Sequence, residues 1–333
     1  MRAVVVGETG PQWAERERRS LVPGQARVRV RTSAITGLDR DVIAGRVGFT
    51  GTPGHTFVGE VVEADGPSAR DIIGRRVIPR GSWGCGICDA CAAGLEERCA
   101  SPRIPGFVGA DGAHAEEIVV PVRALAPLDE VITDEAGVLV PVLAGILQTI
   151  VRADLPPWTN VLVVGDGGTG LMASTLLAQS GYTVTLNGRH GDRFDVVRRH
   201  RVNFVLTADD GESAWRPGRI GPTPMRYPVV VDASGSAEGW QDCLELASPG
   251  ATVLVLSSMC DGIPRPVERV QEKSLRLIGV REGPVEPAMA ILAAGLFDPT
   301  EVVRRIDSFD DVLSAYDAAD KHTNWLTMLR MVG

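Results

Sequence analysis

Basic residues are the minority charge in this 333-residue chain, where 34 Lys and Arg stand against 42 Asp and Glu for a formal charge of −8. Basic runs, basic amphipathic helices and acidic tails are all missing, which removes the usual footprint for nucleic acid or an anionic membrane. Long apolar runs are missing too. The longest, VLVPVLAGILQTIV at 138–151, is too short to span a bilayer, and the opening MRAVVVGETG has too brief an apolar stretch for a secretory signal. Neither an internal repeat nor a low-complexity segment is evident. These absences point to a soluble, cytoplasmic protein that acts on a small molecule, with no nucleic acid and no membrane as partner. Cysteines number only six, yet four of them fall between residues 85 and 99 while Cys243 and Cys260 stand alone in apolar surroundings. Such clustering argues for a metal, not for a disulfide framework.

The length exceeds what one hydrophobic core usually supports, so two domains are expected. The first third consists of short valine-rich runs (RAVVV, ARVRVRTSAI, FVGEVVEA, GRRVIPRG, HAEEIVVPV) cut by Gly, Pro and Asp turns, the pattern of a β-rich domain. From about residue 146 apolar strands alternate with helical stretches: NVLVVG, YTVTLN, NFVLT, PVVVDAS, ATVLVLSS and LRLIGV. Six buried strands with helices between them predict an α/β, doubly wound parallel sheet. Two amphipathic helices, EPAMAILAAG and DDVLSAYDAAD, and a last strand, WLTMLRMV, close the chain. The loop at 216–228, RPGRIGPTPMRYP, is the most linker-like stretch, although it lies between strands of one sheet.

In VLVVGDGGTGLMASTLLAQSG, Gly165, Gly167 and Gly170 have G-x-G-x-x-G spacing directly after a strand and at the start of a helix, with Gly168 and Thr169 inside the turn. Glycines there permit a tight turn and close backbone approach, so a pyrophosphate can sit on free N–H groups at the positive end of the helix dipole. An NAD-binding fold places an Asp or Glu about twenty residues further on for the ribose 2′-hydroxyl. This chain has Asn187, Gly188, Arg189 and His190 at the end of the second strand. A guanidinium in place of an acid favours a 2′-phosphate and hence NADP(H), the plain alternative being a solvated basic loop. Ser257, late in the fifth strand, completes the cofactor-binding candidates.

The segment WGCGICDACAAGLEERC sets Cys85, Cys88, Cys91 and Cys99 in C-x2-C-x2-C-x7-C spacing. Four thiolates on one compact loop can close a tetrahedral zinc shell with no open position, which makes the site structural. An iron–sulfur cluster is the chemical runner-up.

Together these features resemble the medium-chain dehydrogenase/reductase family, the zinc alcohol dehydrogenases in particular. The likeness covers essentially the whole chain and rests on SAITGLDRDVIAGRVGF, PGHTFVGEVV, the cysteine cluster, DGAHAEEIVVP, the dinucleotide turn and VVVDASGS. It implies a GroES-like catalytic domain over 1–145 with a zinc lobe at 84–100, a Rossmann NADP(H)-binding domain over 146–280, and a return to the catalytic domain over 281–333. It also implies an active site between the domains, and homodimers or homotetramers.

The catalytic zinc site of that family is dismantled here. Where zinc enzymes read like C-G-T-D, G-H-E and a Cys following Pro, this chain has Thr36-Gly37-Leu38-Asp39, Gly54-His55-Thr56 and Pro141-Val142-Leu143-Ala144. A single histidine cannot hold zinc against water. His114, in DGAHAEE, stands where similar enzymes carry an aromatic pocket residue, so His55 and His114 could share a cleft and, with Asp39, rebuild a metal site. Otherwise His114 simply fills space at a strand start. His55, Thr36, Asp39 and His114 are the catalytic candidates. Three functions follow: an NADP(H)-dependent reductase or dehydrogenase with structural zinc only, acting on activated carbonyls, enones or imines; a zinc alcohol dehydrogenase with a rebuilt shell; and a non-catalytic dinucleotide-binding protein.

Overall fold

The valine-rich runs become strands because their side chains alternate between a buried face and an exposed one. A computed structural model describes residues 1–66, 71–206, 226–257, 267–320 and 326–331, and the chain divides into two compact units, Met1–Ala144 with Pro284–Gly333, and Gly145–Gly283.

In the first unit the eleven-residue strand Gln25–Ile35 is the hub. Phe57–Ala64 pairs with it along one edge, and Glu117–Pro121 and Leu326–Arg330 follow one another along the other, all antiparallel. Arg76–Pro79 and Leu125–Pro127 extend the sheet beyond Phe57–Ala64, and Val303–Ser308 extends it beyond Leu326–Arg330. Val28, Val30, Phe57, Val61, Val77 and Ile118 form its core. The closing segment belongs to this unit through packing as well as pairing, since Phe309, Val312, Ala315 and Tyr316 bury against Val4, Ile35 and Leu329.

The second unit is a six-stranded parallel sheet in the order Asn203–Leu206, Thr183–Gly188, Asn160–Val164, Tyr227–Asp232, Ala247–Val255, Arg276–Gly279. All six expected strands are therefore present, and the order doubles back at Asn160–Val164, which makes the sheet doubly wound. Val161, Leu162, Val163 and Val164 are all buried, as a strand covered on both faces requires. Helices Gly168–Gln179, Phe194–Arg198, Ala237–Leu246 and Val267–Glu272 belong to this unit. Cys243 is buried with Trp240 and Leu244 in its core; Cys260 and residues 216–225 of the linker-like loop lie outside the described residues. No helix among the described residues is long and apolar enough to cross a membrane.

Candidate functional site

In the first unit the site is organised by Asp39. The Thr36 N–H and hydroxyl both donate to Asp39 Oδ2 at 2.8 Å, so the two residues cap helix Gly37–Ile43 reciprocally. The other oxygen accepts from the N–H groups of Gly54 at 3.1 Å and His55 at 3.3 Å. Gly54 has φ +102°, and a Cβ there would stand 2.7 Å from the backbone nitrogen of His114. This close approach exists because residues 112–114 hydrogen-bond to 52–54: Gly112 N–H to Thr52 O at 2.7 Å, Ala113 N–H to Gly54 O at 2.8 Å, His114 N–H to Pro53 O at 2.9 Å. His55 is thereby delivered to Asp39, with its Nδ1 at 3.2 Å from Oδ2. A carboxylate only accepts, so Nδ1 carries the proton and Nε2 is the ring nitrogen left without a partner among the described residues. Burial pushes the Asp39 carboxyl up, but the charge and hydrogen bond of His55 and the Thr36 N–H outweigh it and hold the group well below the usual carboxylate range.

His114 behaves differently from a residue sharing the cleft with His55. It is fully buried, with Nε2 at 3.3 Å from the carbonyl oxygen of Ala34 and Nδ1 at 2.5 Å from the Tyr316 hydroxyl. The carbonyl fixes the tautomer: Nε2–H donates to it, and Nδ1 accepts from Tyr316. Burial depresses the His114 pKa below the ordinary imidazole range and raises that of Tyr316, to which the charge of Asp39 adds. His114 is thus a neutral, satisfied core residue with no nitrogen to offer. The His55/His114/Asp39 metal set considered from sequence is not assembled, and the only group of three or more His, Cys, Asp or Glu side chains with converging ligand atoms among the described residues is the four cysteines. Thr56 is fully buried, its hydroxyl without a partner among the described residues, and Ala144 is buried as well. A neutral hydroxyl and a methyl group supply no thiolate or carboxylate, so these residues do not fit a catalytic zinc ion.

The cysteines do fit one. Their sulfurs all lie within 4.8 Å of one another, with Cys88 Sγ 3.5 Å from Cys91 Sγ and 3.8 Å from Cys99 Sγ. Sulfurs bound tetrahedrally at about 2.3 Å stand about 3.8 Å apart, so little movement is needed to close the shell. The N–H groups of Ile87 and Cys88 pull the Cys85 thiol down to about 6, toward the thiolate a metal requires. Support comes from a pair that sequence reasoning missed. Glu96 accepts from the Gly84 N–H at 2.7 Å and from Arg123 Nε at 2.8 Å, and Arg123 also donates to the Gly84 carbonyl at 3.2 Å.

In the second unit, Gly165 turns the chain with φ +108°, and its N–H donates to the carbonyl of Asn187 at 2.9 Å. A Cβ at Gly165 would stand 2.5 Å from the Ala233 carbonyl oxygen. Gly167 is the N-cap of helix Gly168–Gln179, which brings Gly168, Thr169 and Gly170 into its first turn. The N–H groups opening that helix lack intrahelical acceptors, the arrangement a pyrophosphate fits. Asn187 and Gly188 end the neighbouring strand, Arg189 is exposed, and His190 is half-buried. Ser257 is turned to Asp232: its hydroxyl donates to the carboxylate and its N–H to the backbone carbonyl, the latter at 3.1 Å. Asp166, inside the glycine turn, was not singled out from sequence. It contacts both loop residues, Arg189 and His190, and the charged x of G-x-G was the available signal.

Comparison with known proteins agrees with this architecture. Residues 22–130 match the family described as the alcohol dehydrogenase GroES-like domain. An L-threonine 3-dehydrogenase of Sinorhizobium medicae is 27% identical over 291 residues, covering 84% of this chain and 83% of that protein. The starvation-sensing protein RspB of Escherichia coli K12 is 26% identical over 328 residues, covering 92% and 93%. Among solved structures, a zinc-binding dehydrogenase of Sinorhizobium meliloti 1021 bound to NADP superposes with a TM-score of 0.83 at 24% identity, over 99% of this chain and 98% of that one.

Proposed function

We propose that this chain, whose residues 22–130 match the alcohol dehydrogenase GroES-like domain, is a member of the medium-chain dehydrogenase/reductase family and an NADP(H)-dependent oxidoreductase working on a small activated carbonyl, enone or imine, or the matching alcohol, without a catalytic metal. When bound, the coenzyme supplies or takes the hydride. The turn Gly165, Gly167, Gly168, Thr169 and Gly170 would hold the pyrophosphate, Asn187, Gly188, Arg189 and His190 the adenosine ribose and its 2′-phosphate, and Asp232 with Ser257 would shape the floor of the site. The four cysteines would carry one structural zinc ion per chain, and a homodimer or homotetramer is the proposed assembly.

The weight falls on His55. Its imidazole is held on Nδ1 by the buried Asp39, with Nε2 unengaged among the described residues. As imidazolium it can release the Nε2 proton to the substrate oxygen or nitrogen on which negative charge develops, while hydride arrives at carbon. The ring is left neutral with its Nδ1 proton in place, and solvent restores the other. Thr36 and Asp39 position this acid. General-acid catalysis contributes roughly 10²- to 10⁴-fold, about 3 to 5 kcal/mol off the barrier. That is sufficient for an acceptor already polarised, which is why activated substrates are favoured over a simple alcohol.

Single-turnover oxidation of bound NADPH by a panel of enals, enones and imines tests the proposal. Wild-type protein should oxidise the coenzyme, His55→Gln should do so at least about 100-fold more slowly, and metal analysis should find one zinc per chain. Two zinc ions per chain would favour a zinc alcohol dehydrogenase, and silence across the panel a non-catalytic dinucleotide-binding protein.

A further inference from the structure

Asp166 is the only charged residue in the turn Gly-Asp-Gly-Gly-Thr-Gly at 165–170, and the hydride chemistry makes no use of it. Its side chain reaches from the end of strand Asn160–Val164 to the end of the adjacent parallel strand Thr183–Gly188. Oδ2 accepts from the N–H groups of Arg189 at 2.9 Å and His190 at 2.8 Å, and His190 Nδ1 lies 3.1 and 3.0 Å from the two carboxylate oxygens. Arg193, 1% exposed, closes the other side by donating to the Asp166 carbonyl at 2.6 Å and to Oδ1 at 3.2 Å. Gly188 makes the approach possible, because a Cβ there would stand 2.6 Å from Asp166 Cβ.

Dinucleotide folds usually offer a carboxylate at this strand end to the ribose 2′-hydroxyl. Asp166 cannot do so directly: it is 4% exposed, and its oxygens already take Arg189, His190 and Arg193. It acts through the imidazole. Because a carboxylate only accepts, His190 Nδ1 carries a proton, and Nε2 has no partner among the described residues. Neutral, that nitrogen accepts, as the O–H of a ribose hydroxyl can use. Charged, it donates, as a phosphate requires.

We propose that Asp166 is the positioning residue and His190 the specificity-determining residue of coenzyme choice: the pair presents Nε2 to the 2′ position of the adenosine ribose, and protonation of His190 converts a hydroxyl acceptor into a phosphate donor. This rests on taking the loop at 187–190 as the 2′ site. The charged groups around His190 are Asp166, in contact with its Nδ1, and Arg193, which donates to the same carboxylate, while the neighbouring Arg189 is met by Asp242 on helix Ala237–Leu246. Asp192 follows His190 by two residues in the chain.

The test is the ratio of NADH to NADPH dissociation constants, measured by coenzyme fluorescence on the intact protein from about pH 5 to about pH 8, where imidazoles titrate. Preference for NADPH should fall about tenfold as pH rises, the worth of one charge-assisted hydrogen bond. In His190→Gln the ratio should follow only the second ionisation of the 2′-phosphate itself, near about 6. Asp166→Asn should move the fall to lower pH, because the imidazolium loses its carboxylate partner. A wild-type profile that superimposes on His190→Gln overturns the inference, even if Asp166→Asn fails to fold, and so does an unmoved midpoint in Asp166→Asn. Wild-type protein that binds NADH more tightly at every pH overturns the 2′-phosphate assignment itself.

Discussion

The Tyr316 hydroxyl donates to Nδ1 of His114 at 2.5 Å, joining residues 202 positions apart in sequence inside the core of the first unit. Removing the donor leaves a buried imidazole nitrogen unsatisfied. Tyr316→Phe should therefore cost about 1 to 3 kcal/mol of stability, read as a lower urea midpoint. The rate of hydride transfer with a good substrate should stay within about twofold, since His114 is placed outside the chemistry and the change is one of stability alone.

Asp39 gives a pH signature. Its native pKa is depressed, because His55 and Thr36 outweigh burial, so the unfolded state binds more protons in acid. The stability Asp39 contributes is fully present above the unfolded carboxylate value of about 3.9 and is lost as pH falls below it toward the native one. Asp39→Asn should be less stable than wild type by on the order of 3 kcal/mol at neutral pH. That gap should narrow at about pH 3 in parallel denaturation curves.

Around the cysteines, ligand and support should separate cleanly. Cys91→Ser removes a thiolate from a set that fits a closed zinc shell, so zinc content and thermal stability should drop together. Arg123→Ala leaves all four thiolates but removes one of the two donors to Glu96 and the donor to the Gly84 carbonyl. Zinc should then be lost to a competing chelator about tenfold more readily.

At the second-strand loop, Arg189→Asp should shift coenzyme preference from NADPH toward NADH by at least about tenfold, by removing a guanidinium and adding like charge near a phosphate. Isothermal titration with both coenzymes measures it, and unchanged selectivity would place the 2′-phosphate elsewhere.

The six-strand sheet, the glycine turn and the cysteine cluster were legible because each is written locally: continuous valine runs, a fixed glycine spacing, four thiols within one loop. The contact of His55 with Asp39 was legible only through the family resemblance. His114 was not legible, because its fate depends on Tyr316, which arrives from a helix in the closing segment, and no local pattern reports that encounter. Asp166 escaped for a related reason. The acid was sought at the end of the second strand, whereas the sheet brings it there sideways from the first, and parallel register is a property of two segments at once.

Strand Leu326–Arg330 pairs with Gln25–Ile35, so a segment synthesised long after that hub is needed to complete its sheet. The contiguous segment Gly145–Gly283 can finish folding during synthesis, but the first unit cannot. Until Leu326–Arg330 has been made, the edge of Gln25–Ile35 that receives it is open, a template for pairing with another nascent chain. Stalled or prematurely terminated products should therefore aggregate through the amino-terminal portion, and their rescue in the cell should depend on factors that shield exposed strand edges.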